Sequence, residues 1–111
     1  MVKAIIPGAT FARTARSKGL PTGIEWGARA HLRDAYGNSV SGLSAAFTKG
    51  ATYDTDGAFT VAFYAHAADT SKWASAGSPL RLVLELYNTL DPDPVLVSRA
   101  TEIPLDISAA I

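Results

Sequence analysis

From Ile24 onward the chain alternates apolar and polar side chains with a period of two, the period of a strand with one face buried and one face in water. In Ile24–Arg33 the residues Ile24, Trp26, Ala28, Ala30 and Leu32 share one face, while Glu25, Arg29, His31 and Arg33 share the other. Phe59, Val61, Phe63 and Ala65 repeat the pattern, and Leu80, Leu82, Leu84 and Leu86 repeat it again with Arg81, Glu85 and Tyr87 pointing outward. A weaker alternation runs through Leu43, Ala45 and Phe47, and a last strand is expected over Val95–Ile103, ending near Pro104.

Turn chemistry separates these segments. Asp34-Ala35-Tyr36-Gly37-Asn38 supplies residues that tolerate positive φ and predicts a hairpin between the Ile24–Arg33 strand and the Leu43–Phe47 strand. Asp54-Thr55-Asp56-Gly57 and the proline-locked Asp91-Pro92-Asp93-Pro94 mark two further breaks. Asp69-Thr70-Ser71-Lys72-Trp73-Ala74 is the one helical candidate, a single turn capped by Asp69 that presses Trp73 on the core. Strands separated by polar turns, with no crossover helices, predict an all-β chain: a small antiparallel β-sandwich, immunoglobulin-like or barrel-like, with at most one short helix. One domain is all that 111 residues accommodate, and 48% hydrophobic content is enough to build its core.

Residues 1–23 break the rule. Gly8, Gly19, Pro21 and Gly23 punctuate a stretch, Thr10–Lys18, that mixes small, polar and basic residues without a sustained period, and the segment reads as an irregular basic arm preceding a 24–111 sandwich. Ala4, Ile5 and Ile6 are apolar enough to add a short strand to a sheet edge, on this chain or on a neighbour. The charges divide along the same line. Six basic residues against Glu25 give the first 33 positions a balance of +5, the remainder balances at −5, and the whole chain is neutral. Either the basic segment lies across the acidic face of its own domain, or it docks on the next copy in a head-to-tail contact.

Little acid–base equipment is present. With no cysteine, a disulfide scaffold, a thiolate zinc site and a thiol nucleophile are all excluded. His31 and His66 fall at outward strand positions where no local spacing gathers carboxylates around them. Asp54-Thr55-Asp56-Gly57 echoes the start of a calcium loop, yet the ligand series breaks off at Ala58-Phe59-Thr60-Val61. No Gly-x-Ser-x-Gly elbow announces a triad. The expectation is therefore no enzyme, no cofactor, no metal and no small-molecule substrate. Charge neutrality argues against direct nucleic-acid binding. No run approaches the roughly 20 apolar residues of a membrane-spanning helix, nor does Met1–Pro7 read as a signal peptide, so no membrane is expected.

Aromatic residues offer an alternative. Stacked on sugar rings they would make a carbohydrate-binding or adhesion module. The alternation turns Trp26 inward and lets Trp73 plug one end, which leaves Tyr36, Tyr64 and Tyr87 for a partner surface. The partner-binding residues expected from sequence are Ile5, Ile6, Arg13, Arg16, Lys18, Tyr64 and Tyr87.

The order of features from Trp26 to Leu105 resembles the small β-sandwich modules of tailed-phage virion proteins, among them the amino-terminal domain of siphophage baseplate upper proteins. The shared features begin with a first strand ending in the charged turn Leu32–Leu43 and an Asp-Gly turn into a Phe-x-Val strand at Asp56–Val61. They continue with Asp-x-Ser-x-Trp at Asp69–Trp73, the leucine alternation at Leu80–Leu86, and Leu-Val-Ser-Arg at Leu96–Arg99. An Asp-Leu-x-Gly signature of those modules is altered here to Val40-Ser41-Gly42-Leu43, which implies a free-standing small virion protein over one attached to a fibre. The resemblance implies a structural subunit of the tail, baseplate or head surface, made in the host cytoplasm and residing in the virion. Its partners would be other virion proteins and copies of itself, in a homo-oligomer.

Overall fold

The computed structural model describes residues 4–105. Lys3 and Asp106, counted in the two charge halves above, lie outside them. Among the described residues seven strands form two antiparallel sheets packed face to face as a small all-β sandwich. The strands are β1 (Phe11–Ser17), β2 (Trp26–Arg33), β3 (Ser39–Val40), β4 (Ser44–Lys49), β5 (Phe59–Ala65), β6 (Leu80–Asn88) and β7 (Val97–Ile103). One sheet has the order β1-β5-β4 and the other β3-β2-β6-β7.

The two strands with the cleanest alternation occupy the centres. β5 is flanked by β1 and β4, β6 by β2 and β7, and their apolar faces meet. Val61, Leu80 and Leu86 are fully enclosed between them. Trp73 closes one end, its indole N–H donating to the Ser41 carbonyl at 2.8 Å. Near the other end the Pro21 carbonyl accepts from Trp26 Nε1 at 3.1 Å and from the Tyr53 hydroxyl at 3.0 Å, so two large rings are buried with their polar tips satisfied.

Three expectations need correction. First, Phe11–Ser17, expected within an irregular arm, is a full strand paired with all of β5 from Phe11↔Ala65 to Ser17↔Phe59. Beyond it Gly19 N donates to the Asp56 carbonyl at 2.8 Å, Leu20 is buried, and Ile5, only 2% exposed, bridges Leu105 within the same chain. Apolar anchors at Ile5, Phe11 and Leu20 explain why this segment joins the core. Second, β2 does not form a hairpin with the Leu43–Phe47 segment. β2 pairs with the short β3, and after Ser41-Gly42 the chain crosses to the other sheet, where β4 pairs with β5. Third, helical turns occur at three places: α1 (Tyr53–Asp56), α2 (Ala67–Thr70) and an adjoining 3-10 turn (Ser71–Ser75).

Gly57 shows why the α1 turn ends where it does. It adopts φ +69°, and a Cβ there would stand 2.2 Å from the Leu20 carbonyl oxygen, so only glycine lets the start of β5 and the end of the β1 segment meet.

Candidate interaction site

β2 and β4 pack against each other and close one long side of the sandwich. The opposite side, between the edge strands β1 and β7, is open among the described residues. A slot of about 350 Å³ lies there, its walls formed by Phe11 and Phe63 of one sheet and by Leu82, Leu84 and Ile103 of the other. The register explains its lips. Arg13 stands opposite Phe63 and Ala15 opposite Val61, so both point toward the core side. Arg99 stands opposite Leu84 and Thr101 opposite Leu82, again on the core side. The inner faces of two edge strands thus carry Arg, Ala, Arg and Thr where the central strands carry Phe, Val and Leu, and the side chains there are too short or too polar to fill the gap.

Burial against the slot draws the Arg13 guanidinium pKa down from its ordinary value, although arginine stays charged at any physiological pH. That guanidinium also lies 5.0 Å from the centre of the Phe11 ring. Arg99 is exposed and forms no ion pair among the described residues. Along the sheet edges, among the described residues, β1 has β5 and β7 has β6 as its ladder partner, so each presents backbone N–H and C=O groups outward.

The expected partner residues do not gather on one surface. Ile5 is in the core and Ile6 sits at its border. Arg13 is in the slot; Arg16, opposite Thr60, is on the outer face of the three-stranded sheet, and Lys18 is exposed past the strand end. Tyr64 shares that outer face, 40% exposed between Ala12 and Ser44, its ring edge-on to His66 with 4.9 Å between centroids. His66 itself is the residue before α2 and not a strand position. Tyr87 lies on the outer face of the other sheet with its ring against Gly27, whose missing side chain gives it room.

Around Tyr87 that outer face carries a small charged network. Arg29 is within cation–π distance of the Tyr87 ring at 5.0 Å, and its Nε donates to Glu85 Oε1 at 2.9 Å. His31 Nε2 stands 2.8 Å from the same oxygen. These bonds, from Arg29 first and His31 second, hold the Glu85 carboxyl below the usual carboxylate range. Among the described residues no three His, Asp or Glu side chains assemble into a metal-binding group.

The expected last strand, Val95–Ile103, begins two residues later, at Val97, so Val95 and Leu96 belong to the turn that follows Asn88. That turn holds three exposed large apolar residues, Leu90, Val95 and Leu96, beside Asp91 and Asp93. The slot went unread, although Arg99 and Thr101 at inward positions of a strand are its signature. Searches for known relatives give no matching family model, no matching curated protein and no matching solved structure.

Proposed function

We propose that this chain is a non-enzymatic structural subunit of a tailed-phage particle, in the tail, the baseplate or on the head, acting through repeated protein–protein contacts. The phage setting rests on the resemblance of the Trp26–Leu105 order to virion sandwich modules. The mode of action rests on one observation: a sandwich sealed along β2/β4 and, among the described residues, left open along β1/β7, with an apolar slot between two strands at the sheet edges. Apolar walls and edge-strand backbone are what a neighbouring chain would cover.

The sugar-binding alternative is less well supported, because Trp26 and Trp73 are both buried and their N–H groups are engaged within the core. Weak contacts summed over many copies suffice for a durable shell, so a single contact need not be tight. Light scattering of the purified protein over rising concentration, at low and high salt, tests the reading. Growth in mass that weakens with salt is expected; a monomer under every condition would overturn it.

A further inference from the structure

Taking the assembly reading as its premise, the geometry points to a specific contact: we propose that copies of this chain join head to tail, the Leu90 turn of one copy seated in the β1/β7 slot of the next. The donor is a built projection. Asp91 N donates to the Asn88 carbonyl at 3.0 Å and Leu90 N to Asn88 Oδ1 at 3.0 Å, which closes a tight turn with Leu90 at its tip. Leu90 is 82% exposed, the most exposed of the large apolar side chains among the described residues. Pro92 and Pro94 fix the backbone that follows. A leucine carried on a hydrogen-bonded, proline-flanked turn has its backbone ordered before it docks, which lowers the entropy lost on binding.

The acceptor matches it in both chemistry and charge. Apolar walls from Phe11, Phe63 and Leu84 suit a leucine side chain, and the exposed Arg99 on the β7 lip suits the carboxylates that follow Leu90, those of Asp91 and Asp93. At about 350 Å³ the slot is at the small end of the ligand-pocket range of roughly 300–1,000 Å³, a size for one or two anchoring side chains.

The contact must be made between copies. β6 and β7 are paired up to Leu86↔Val97, and Leu96 N donates to the Leu86 carbonyl at 2.9 Å, so the turn is carried past the end of the sheet. The slot lies back along the same two strands, between Leu84 and Ile103, where the turn of the same chain cannot fold. A surface and its complement at different places on one chain give a heterologous contact, which closes into a ring or runs on as a filament. The chain thereby carries an arginine-lipped slot and an acidic plug.

Mixing defective variants tests the proposal. Leu90→Asp removes the plug and leaves the slot intact; Arg99→Asp reverses one lip and leaves the plug intact. Sedimentation velocity should show each variant alone at least about tenfold weaker in association than the parent, as for loss of an anchoring contact. A one-to-one mixture should form a heterodimer, from the sound plug of one and the sound slot of the other, and nothing larger. Thr101→Trp, which fills the slot without changing charge, should behave as Arg99→Asp does, and far-UV circular dichroism identifies any variant that has lost its fold. A parent protein that assembles undiminished after Leu90→Asp overturns this inference alone, as does assembly lost in the slot variants but indifferent to Leu90, which means another occupant. A parent that is monomeric throughout overturns the assembly reading with it.

Discussion

The central strands and the edge strands of this sandwich obey different rules. β5 and β6 have neighbours on both sides and a sheet opposite, so every second residue from Phe59 to Ala65 and from Leu80 to Leu86 is buried and is Phe, Val, Ala or Leu. β1 and β7 lie at the edges, on the two sides of the slot. On β7 the inward residues Arg99 and Thr101 are as exposed as the outward ones, and only Ile103 is buried. Membership of the sandwich does not by itself enforce alternation. Coverage from above does, and where coverage stops the sequence is free to place charge on the inner face.

The first way to break this comparison is to truncate one inward side chain of each class to alanine. Leu86→Ala, at a fully buried position between β2 and β7, should destabilise the fold by about 2–5 kcal/mol, because it leaves a cavity that the close-packed centre cannot collapse. Thr101→Ala on the neighbouring edge strand should stay within about 0.5 kcal/mol. Urea unfolding of both proteins measures the difference, and equal costs would mean that the edge strand is as well covered as the centre.

A second test asks what holds the N-terminal segment to the sandwich. Thr70 has no exposure, and its hydroxyl donates to the Ala9 carbonyl at 2.7 Å and accepts from Gly8 N at 3.1 Å, joining the α2 turn to the chain just before β1. Thr70→Val keeps the shape and removes both bonds. A loss of about 1–3 kcal/mol is expected, since two backbone groups are left without their partner. Hydrogen exchange should show the loss concentrated in β1, with β6 still protected.

The charged network over Tyr87 sharpens the comparison on an outer face. Glu85 has a folded pKa held below its unfolded value, so the stability it lends is present above about pH 4.3 and is lost as the pH falls from there through the folded value. A partly exposed pair of this kind contributes roughly 0–1 kcal/mol. In Glu85→Gln the melting temperature should therefore drop less steeply on acidification below that pH than in the parent. Thermal melts at stepped pH read the slope, and parallel profiles would remove Glu85 from the account.

What was legible in the sequence follows the same division. β2, β5 and β6 were readable from alternation because their two faces meet different surroundings. β1 was not, because its inward set of Phe11, Arg13, Ala15 and Ser17 differs little in character from its outward set of Ala12, Thr14 and Arg16. Pairing with β5 overrode a pattern that carries no strand signal of its own. The crossing of β4 to the other sheet was hidden for a different reason: alternation says which face is buried but not which sheet receives the strand. The slot is a product of both, since it exists only once β1 and β7 are known to be edges on the same side.

Arg99→Ala is the smallest expected effect on stability and the one that separates structure from interaction most sharply. The side chain is exposed, makes no ion pair among the described residues, and lies on a strand whose backbone ladder to β6 does not depend on it. Its removal should shift unfolding by no more than about 0.5 kcal/mol in either direction. If Arg99 serves a contact between copies and not the fold, association should respond to its removal where stability does not. A large destabilisation would instead make Arg99 part of the fold, with its alkyl stem covering Leu84, and would return β7 to the same rule as the strands at the centre.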